Sequence, residues 1–232
     1  MPVPGWLDLS AVFVGAIAGV LVSKEHKLDL VGFIGMCLIC ALGGGLLRDA
    51  IMQVGSVYAI DSKWPIPLCV ITAVAGFFFP SAWEKFPALL ELVDIISVAL
   101  FVVAGTDKAL SYELHTAAVL LMGTITGVGG GMLRDVFLGE VPRVFKRSNF
   151  YALCAVAGSV TYLVCQRVLY TAQPVSSVAT VVVVVLLRQI SLRFDIKTPA
   201  EVDFTPTVAA AGRRMASDVK EAATNAIKKD EK

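Results

Sequence analysis

One seven-residue phrase occurs twice in this chain, and each copy places three glycines and a charged pair inside a long apolar run. The first copy is Gly43–Asp49, reading GGGLLRD, and the second is Gly129–Asp135, reading GGGMLRD, 86 residues further along. In a lipid bilayer, a weakened helix and ionisable side chains are costly unless they face the protein interior or a water-filled cavity. The repeated phrase therefore strongly constrains both the fold and the function.

The composition predicts a membrane protein. Hydrophobic residues make up 56% of the 232-residue chain and charged residues only 17%, with a mean hydropathy of +0.75. The net charge of +1 gives no global field that attracts nucleic acid, so we expect no nucleic-acid partner. Cys37 and Cys40 form a CxxC pattern without a second pair or a nearby histidine, which favours buried thiols over a metal site. We expect no cofactor.

Apolar runs of membrane-spanning length predict an all-α membrane protein with seven transmembrane helices. The N-terminus lacks a basic region and a cleavage site, so we expect the first run to be retained as a span. The predicted spans are Leu7–Val22, Leu28–Met52, Pro67–Phe79, Leu89–Ala104, Leu114–Leu138, Phe150–Leu169 and Val175–Ile190.

The placement of lysine and arginine predicts the orientation, because basic residues concentrate in cytoplasmic loops. An outside N-terminus and a cytoplasmic C-terminus leave only Lys63, Lys108 and Arg167 outside. The same orientation puts the larger basic set inside, namely Lys24, Lys27, Lys85, Arg143, Lys146, Arg147, Arg193 and Lys197. Among these, Arg143, Lys146 and Arg147 fit contact with anionic lipid, although the topology signal alone explains them equally well.

Sliding the chain along itself by 86 residues aligns more than the glycine phrase. Asp8 falls on Asp94 and Met36 falls on Met122, and the hydropathy profiles superpose. Three spans make an odd number, so the second copy enters the membrane from the opposite side, which predicts inverted repeats about an axis in the membrane plane. The predicted divisions are residues 1–88 and 89–173 for the repeats, 174–194 for a seventh helix, and 195–232 for a soluble charged tail. We interpret Asp8 and Asp94 as charges that cap helix N-termini.

The glycine triplets have two interpretations. Each glycine weakens a helix by about 1 kcal/mol relative to alanine and allows a kink, where freed carbonyl groups can coordinate a cation. The alternative is that small residues let two helices pack closely. Because the triplets occupy repeat-equivalent sites, we expect a hinge and the lining of a hydrated path at Gly43, Gly44, Gly45, Gly129, Gly130 and Gly131.

The charged pairs that follow the glycines are candidates for a constriction that controls ion access. We expect Arg48 to be able to pair with Asp135, and Arg134 with Asp49, across the interface between repeats. A purely structural salt bridge near the lipid headgroups is the alternative for these residues.

Three further polar residues are candidates for the path. Lys108, at the predicted end of the fourth span, is a candidate gating charge or a lysine that extends to the membrane surface. Thr124 and Thr126 precede the second triplet and can offer hydroxyl groups to a hydrated path, or can bond to their own helix backbone.

The sequence contains no enzymatic constellation. It lacks a cluster of histidine, cysteine and carboxylate residues and a Ser–His arrangement, and the GGG phrases lack the spacing of a Walker or dinucleotide-binding loop. We therefore expect a protein that is not an enzyme.

The two GGGxLRD phrases, the longer second phrase Gly127–Pro142 and the GxxKAL segment Gly105–Leu110 resemble the trimeric intracellular cation (TRIC) channels, especially the prokaryotic members. The resemblance covers about residues 6 to 192. It implies a homotrimer of seven-helix protomers, each with a pore at the glycine-kinked second and fifth helices. It also implies passage of potassium and, less selectively, of other monovalent cations such as sodium.

The same resemblance implies a place in the prokaryotic cytoplasmic membrane, among its lipids. Asp49 and Asp135 follow the two arginines, which speaks against the phosphoinositide binding of animal TRIC channels. The alternative function is secondary transport of a small solute such as an amino acid, since inverted repeats with interrupted helices describe transporters equally well. A third possibility is a structural or lipid-organising membrane protein.

Overall fold

A computed structural model of the chain describes residues 5–79, 89–146 and 150–196. Every regular element in these ranges is an α-helix. The helices are α1 (Gly5–Glu25), α2 (Leu30–Met52), α3 (Tyr58–Asp61), α4 (Pro65–Phe78), α5 (Leu89–Ser111), α6 (Thr116–Phe137), α7 (Tyr151–Arg167) and α8 (Gln173–Arg193). Arg147 and the predicted tail beyond Ile196 lie outside the described residues.

The seven long helices correspond to the seven predicted spans, and α3 is an additional short helix. Among the described helices, four are long and apolar enough to cross a membrane: Leu7–Glu25, Leu30–Met52, Thr116–Phe137 and Gln173–Arg193. The largest difference concerns α5, which continues to Ser111 although the sequence predicted an end at Ala104. Lys108 therefore lies within a helix rather than beyond the end of one.

Local signals explain several helix ends. The Asp29 side chain caps α2 by accepting a hydrogen bond of 2.7 Å from the backbone N–H of Gly32. At its other end α2 stops at Gln53, which adopts the left-handed conformation with φ 49°. Pro65 stands at the start of α4, where its missing N–H costs no helical hydrogen bond.

The glycine triplets lie where α2 crosses α6, and both helices continue through them without a break. A Cβ atom on Gly44 would overlap the carbonyl oxygen of Thr126, and one on Gly130 would lie 2.5 Å from the carbonyl oxygen of Cys40. The triplets therefore provide close backbone approach, the alternative given above, and the expected hinge and path lining at these glycines stay predictions. Because glycine has only a hydrogen atom in place of a side chain, the two helix backbones can come into contact.

The contacts at this crossing show that the repeats are inverted. In the 86-residue repeat, Gly44 corresponds to Gly130 and Cys40 corresponds to Thr126. The contact of Gly44 with Thr126 is therefore equivalent to the contact of Gly130 with Cys40. Each partner lies one turn before the other glycine of its own helix, so α2 and α6 run antiparallel. This confirms the two inverted three-helix repeats, with the pseudo-two-fold axis passing through the glycine crossing.

Each repeat has its own apolar core. The first lies between α1, α2 and α4, and includes Val12, Ala16, Cys37, Ala41, Cys69 and Ala73. The second lies between α5, α6, α7 and α8, and includes Val98, Val102, Val128, Cys154 and Val184. The repeats meet through the α1–α5 and α2–α6 contacts, and α8 packs against α5 and α7 outside the repeat scheme.

Candidate functional site

The C-terminal end of α2 carries an ion cluster that joins the two repeats. Asp49 Oδ1 accepts hydrogen bonds from Arg48 Nε at 2.7 Å and from Lys108 Nζ at 2.8 Å, and its Oδ2 accepts one from the Tyr58 backbone N–H at 3.0 Å. Lys108 comes from α5 and also donates to the carbonyl oxygen of Ser56 at 2.9 Å. Its side chain is 18% exposed, so Lys108 ties the repeats together rather than extending to the membrane surface. We call this side of the protein the Lys108 face.

A polar cavity opens beside this cluster. Its volume is about 400 Å³, and its lining comes from α1, α2, α3, α5 and the segments beside them. The lining residues are Asp8, Arg48, Ser56, Tyr58, Asp61, Ala104, Asp107, Lys108, Ser111 and Tyr112. Burial, together with the nearby Asp8 carboxylate, raises the pKa of Tyr58 to about 12, so this phenol stays protonated at neutral pH.

The cavity continues inward toward the glycine crossing. A second pocket of about 20 Å³ shares Asp8, Arg48 and Tyr58 with the first and reaches Gly45 of the first triplet. Such a volume holds about one water molecule. The rest of its lining is apolar and includes Val12, Leu42 and Phe101, so the polar cavity at the Lys108 face leads to a narrow, largely apolar constriction beside the crossing of α2 and α6.

Acidic side chains outnumber basic ones in the lining of the larger cavity. Asp8, Asp61 and Asp107 line the larger cavity, while its two cations, Arg48 and Lys108, are both bound to Asp49. Within the described part of the chain, Asp8 makes no hydrogen bond or ion pair. The cavity consequently has a negative balance, which favours cations over anions.

The end of α6 carries the repeat-equivalent cluster on the opposite side, which we call the Arg134 face. Arg134 Nη1 binds Asp94 Oδ1 at 2.9 Å, and Arg134 Nε donates to Asp135 Oδ1 at 3.0 Å. The Asp135 Oδ2 atom accepts from the Arg143 backbone N–H at 2.9 Å, much as Asp49 accepts from Tyr58. The Arg134 side chain is only 2% exposed, so this cluster is sealed from solvent.

Tyr151 produces much of the difference between the faces. A Cβ atom on Gly131 would lie 2.6 Å from the Tyr151 hydroxyl oxygen, whereas one on the equivalent Gly45 would meet nothing within 4 Å. The positions that match Asp107 and Lys108 in the first repeat are Leu21 and Val22. The Arg134 face thus has an aromatic ring and apolar side chains where the Lys108 face has charges and open space.

The expected pairing of each arginine with the aspartate of the other repeat was wrong. Arg48 and Arg134 each bind the aspartate that follows them in sequence. Each arginine lies one turn beyond the glycine crossing, and the antiparallel course of α2 and α6 carries these turns to opposite faces. Each arginine is therefore bound by carboxylates of its own repeat, Arg48 by Asp49, and Arg134 by Asp135 and Asp94.

The interpretation of Asp94 as a helix cap needs correction, because Asp94 lies more than one turn into α5 and is bound by Arg134. Asp8 does lie in the first turn of α1, as that interpretation expected, and it also lines the cavity. Thr124 and Thr126 donate to the carbonyl oxygens of Leu120 at 2.7 Å and Met122 at 2.6 Å, as the alternative for them stated. Thr126 is fully buried against Gly105.

The basic residues considered for lipid contact have protein partners nearby. Lys146 Nζ lies 3.7 Å from a Glu140 carboxylate oxygen, and the Arg143 backbone N–H is used by Asp135. Arg147 lies outside the described residues.

Sequence reasoning missed Asp107, Tyr58 and Tyr151 as site residues. Asp107 carried a usable signal, because two adjacent charges within an otherwise apolar segment are expensive in a membrane. Tyr58 and Tyr151 carried none, since each stands near the end of an apolar run, where interfacial aromatic residues are common.

Comparison with known proteins agrees with this architecture. A family model described as "Glycine transporter" matches residues 5–81 and again residues 91–167, one match for each repeat. The UPF0126 inner membrane protein YadS of Escherichia coli K12 is 29% identical over 195 residues, covering 84% of this chain and 94% of that protein. A UPF0126 membrane protein of Deinococcus radiodurans is 33% identical, covering 66% of this chain and 72% of its own.

Solved structures share the fold. The TRIC trimeric intracellular cation channel orthologue of Rhodobacter sphaeroides superposes with a TM-score of 0.75 at 25% identity, over 82% of this chain and 97% of that one. A structure described as the basis for conductance through TRIC cation channels gives 0.73 at 25% identity, over 87% and 98%. The trimeric intracellular cation channel of C. elegans, at 16% identity and a TM-score of 0.56 over 87% and 94%, is similar in fold alone.

Proposed function

This chain belongs to the family described as glycine transporters, whose fold is that of the TRIC cation channels, and from this premise we propose that it conducts monovalent cations across a membrane. Potassium is the expected principal ion, with sodium passing less readily. We further propose one path per protomer of a homotrimer, in the cytoplasmic membrane of a prokaryote, with the N-terminus outside and the C-terminus in the cytoplasm.

The observation that carries this proposal is the acidic path on the Lys108 face. It begins as a cavity of about 400 Å³ and narrows to a pocket of about 20 Å³ beside Ala41, Leu42 and Gly45. Carboxylate and hydroxyl oxygens are the ligands that hard monovalent cations prefer, and a negative cavity raises the local concentration of cations. The path therefore supplies the opening and the first half of a cation route.

Beyond Gly45 the route is closed. The backbones of α2 and α6 touch at Gly44 and Gly130, and Tyr151 fills the space beside Gly131. The arrangement supports a route that opens to one side while the other side is shut. Conduction then requires a rearrangement at the Arg134 face, which gives Arg134 and Asp135 the gating role expected of them.

A second candidate function is the transport of a small zwitterion such as glycine. The same cavity presents the cations Arg48 and Lys108 together with the carboxylates Asp8 and Asp107, which suit the carboxylate and the ammonium group of an amino acid. In the described residues the cavity opens at the Lys108 face, and such a cavity, built from inverted repeats, is also what alternating access requires. The family description favours this candidate as well.

A paired flux experiment separates the two candidates. The purified full chain is reconstituted into liposomes, and potassium efflux and radiolabelled glycine uptake are measured on the same preparation. The cation-channel proposal predicts rapid potassium efflux that is independent of glycine. Glycine uptake with no potassium efflux would overturn it in favour of transport, and the absence of both would favour a structural role.

A further inference from the structure

The carboxylate of Asp107, near the end of α5, is buried and incompletely bonded. The residue is 6% exposed. Its Oδ1 atom accepts hydrogen bonds from the Tyr162 hydroxyl of α7 and, at 3.0 Å, from Gln173 Nε2 at the start of α8. Its Oδ2 atom is equally buried and has no hydrogen-bond partner within the described residues. Buried carboxylate oxygens are nearly always paired, so this one marks a place for a missing positive partner.

The neighbouring lysine does not supply that partner. Consecutive residues on a helix point about 100° apart, and the Lys108 ammonium group turns away to Asp49 and the Ser56 carbonyl oxygen. Arg48, the other cation of the cavity, is bound to Asp49 as well. The charge on Asp107 is therefore left to whatever enters the cavity.

Asp107 stands between two cavities rather than at the edge of one. It lines the cavity of about 400 Å³ described above. It also lines another of about 520 Å³ beside α5, α7 and α8, which includes Glu113, Gln166, Arg167 and Gln173. The Arg167 guanidinium donates to the Thr116 hydroxyl at 3.1 Å and to the Leu114 carbonyl oxygen at 3.3 Å. Asp107 therefore borders both cavities. In the first repeat its place is taken by Leu21, so the Arg134 face has no equivalent group.

We propose that Asp107 forms a binding site for a monovalent cation, with Oδ2 as the charged ligand and with Tyr162 and Gln173 holding the carboxylate in position. One carboxylate suits a single positive charge, whereas Ca²⁺ is held by several carboxylate and carbonyl oxygens. The choice of ion rests on the proposed function, because the ion bound here is expected to be the one that permeates. It gives the path a defined stopping point outside the glycine crossing.

The test measures cation binding apart from flux. Thermal unfolding of the purified full chain is followed in potassium chloride and in N-methyl-D-glucamine chloride at equal ionic strength, because the organic cation is far larger than potassium and should not replace it at a buried carboxylate oxygen. We expect potassium to raise the Tm of the unsubstituted protein, since a ligand that binds only the folded state stabilises it. In Asp107→Asn, which keeps the size of the side chain, the potassium concentration for half of that effect should rise by about tenfold or more.

Three further variants keep the test decisive. Glu140→Gln removes an exposed carboxylate at the other face and should keep the full response to potassium. Tyr162→Phe keeps the charge on Asp107 and removes only an orienting donor, so its half-effect concentration should move by less than that of Asp107→Asn. If Asp107→Asn does not fold, the two single variants Tyr162→Phe and Gln173→Ala replace it in the test. A potassium response that is unchanged in both of them overturns the site.

The outcomes separate the site from the permeation proposal. An equal response to potassium in Asp107→Asn and in the unsubstituted protein overturns the site even if potassium currents are present. A response that depends on Asp107 supports the site even if the reconstituted protein carries no current. A shift of Tm that depends on Asp107 but is produced by glycine, and not by potassium, overturns the assignment of a monovalent cation.

Discussion

Arg134 binds Asp94 through Nη1 at 2.9 Å, whereas Arg48 and Asp8, the same pair in the first repeat, make no such contact. The residue types are identical, so the difference comes from their neighbours. On one face Lys108 shares Asp49 with Arg48, and Asp8 and Arg48 line the same cavity. On the other face Tyr151 fills the space beside Gly131. The molecule thus shows two arrangements of one repeat. We expect the Lys108 face to resemble the Arg134 face when it closes.

Loss of the Arg134–Asp94 contact should loosen the Arg134 face. Asp94→Asn removes one of the two carboxylates bound to a nearly fully buried guanidinium, while Asp135 remains. We expect a loss of about 1–3 kcal/mol in stability, because the remaining pair still holds part of the charge. Potassium efflux from liposomes should rise. Efflux that stays level or falls, with Glu140→Gln as the control on the same face, would show that this ion pair does not keep the path shut.

The two neighbouring glycines Gly44 and Gly45 should respond differently to alanine. A Cβ atom on Gly44 overlaps the Thr126 carbonyl oxygen, so Gly44→Ala must push α2 and α6 apart and should greatly reduce folded yield. Gly45 faces open space at the narrow end of the path, so Gly45→Ala should fold normally and reduce ion flux.

Size-exclusion profiles and flux of the two alanine variants check this contrast. A well-folded Gly44→Ala would mean that the helices cross less tightly than described. Full flux in Gly45→Ala would place the conduction route elsewhere. The same geometry indicates that leucine at Gly44 and Gly130 together would disrupt the fold, rather than merely block a path.

Tyr151 should act as a plug on the Arg134 face. Its ring lies under the Arg188 guanidinium at 5.5 Å, and its hydroxyl is buried without a hydrogen-bond partner in the described structure. Tyr151→Phe keeps the ring and should leave stability and flux nearly unchanged. Tyr151→Ala removes the ring, and should increase potassium flux at a cost of about 3–5 kcal/mol in stability. Similar flux in both variants would exclude this role for the ring.

Lys108 should matter through its bond to Asp49 across the repeats. Lys108→Met keeps the length of the side chain and removes the donor to Asp49 and to the Ser56 carbonyl oxygen. We expect about 1–3 kcal/mol of destabilisation together with a more negative cavity, and hence a stronger preference for cations over anions. Ion selectivity measured from dilution potentials tests this, with Lys146→Met, whose side chain is 46% exposed, as the control. Unchanged selectivity would remove Lys108 from the path.

The sequence predicted the helices and the inverted repeats because both depend on local patterns. Span length follows from apolar runs, and the shift of 86 residues made the pseudo-symmetry visible in the paired glycine phrases. Closely packed glycines were also among the stated alternatives. The sequence could not predict the partners of Arg48 and Arg134, since these depend on how far the crossing separates two helix ends.

The sequence likewise could not predict that the two faces differ. Asp8 and Asp94 stand at matching places in the repeats and differ only in what tertiary packing brings beside them. The same holds for Gly45 and Gly131, of which one faces a cavity and the other an aromatic ring. A repeat in sequence predicts symmetry, and the departure from it is decided by residues that the repeat does not share, such as Tyr151 and Lys108.

The most direct measurement of the central claim is the reversal potential of the purified full chain in a planar bilayer under a potassium chloride gradient. We predict discrete unitary currents that reverse near the potassium equilibrium potential. We also expect their amplitude to fall in Gly45→Ala. A silent bilayer, from protein that takes up glycine when reconstituted into liposomes, would contradict cation conduction as the function of this chain.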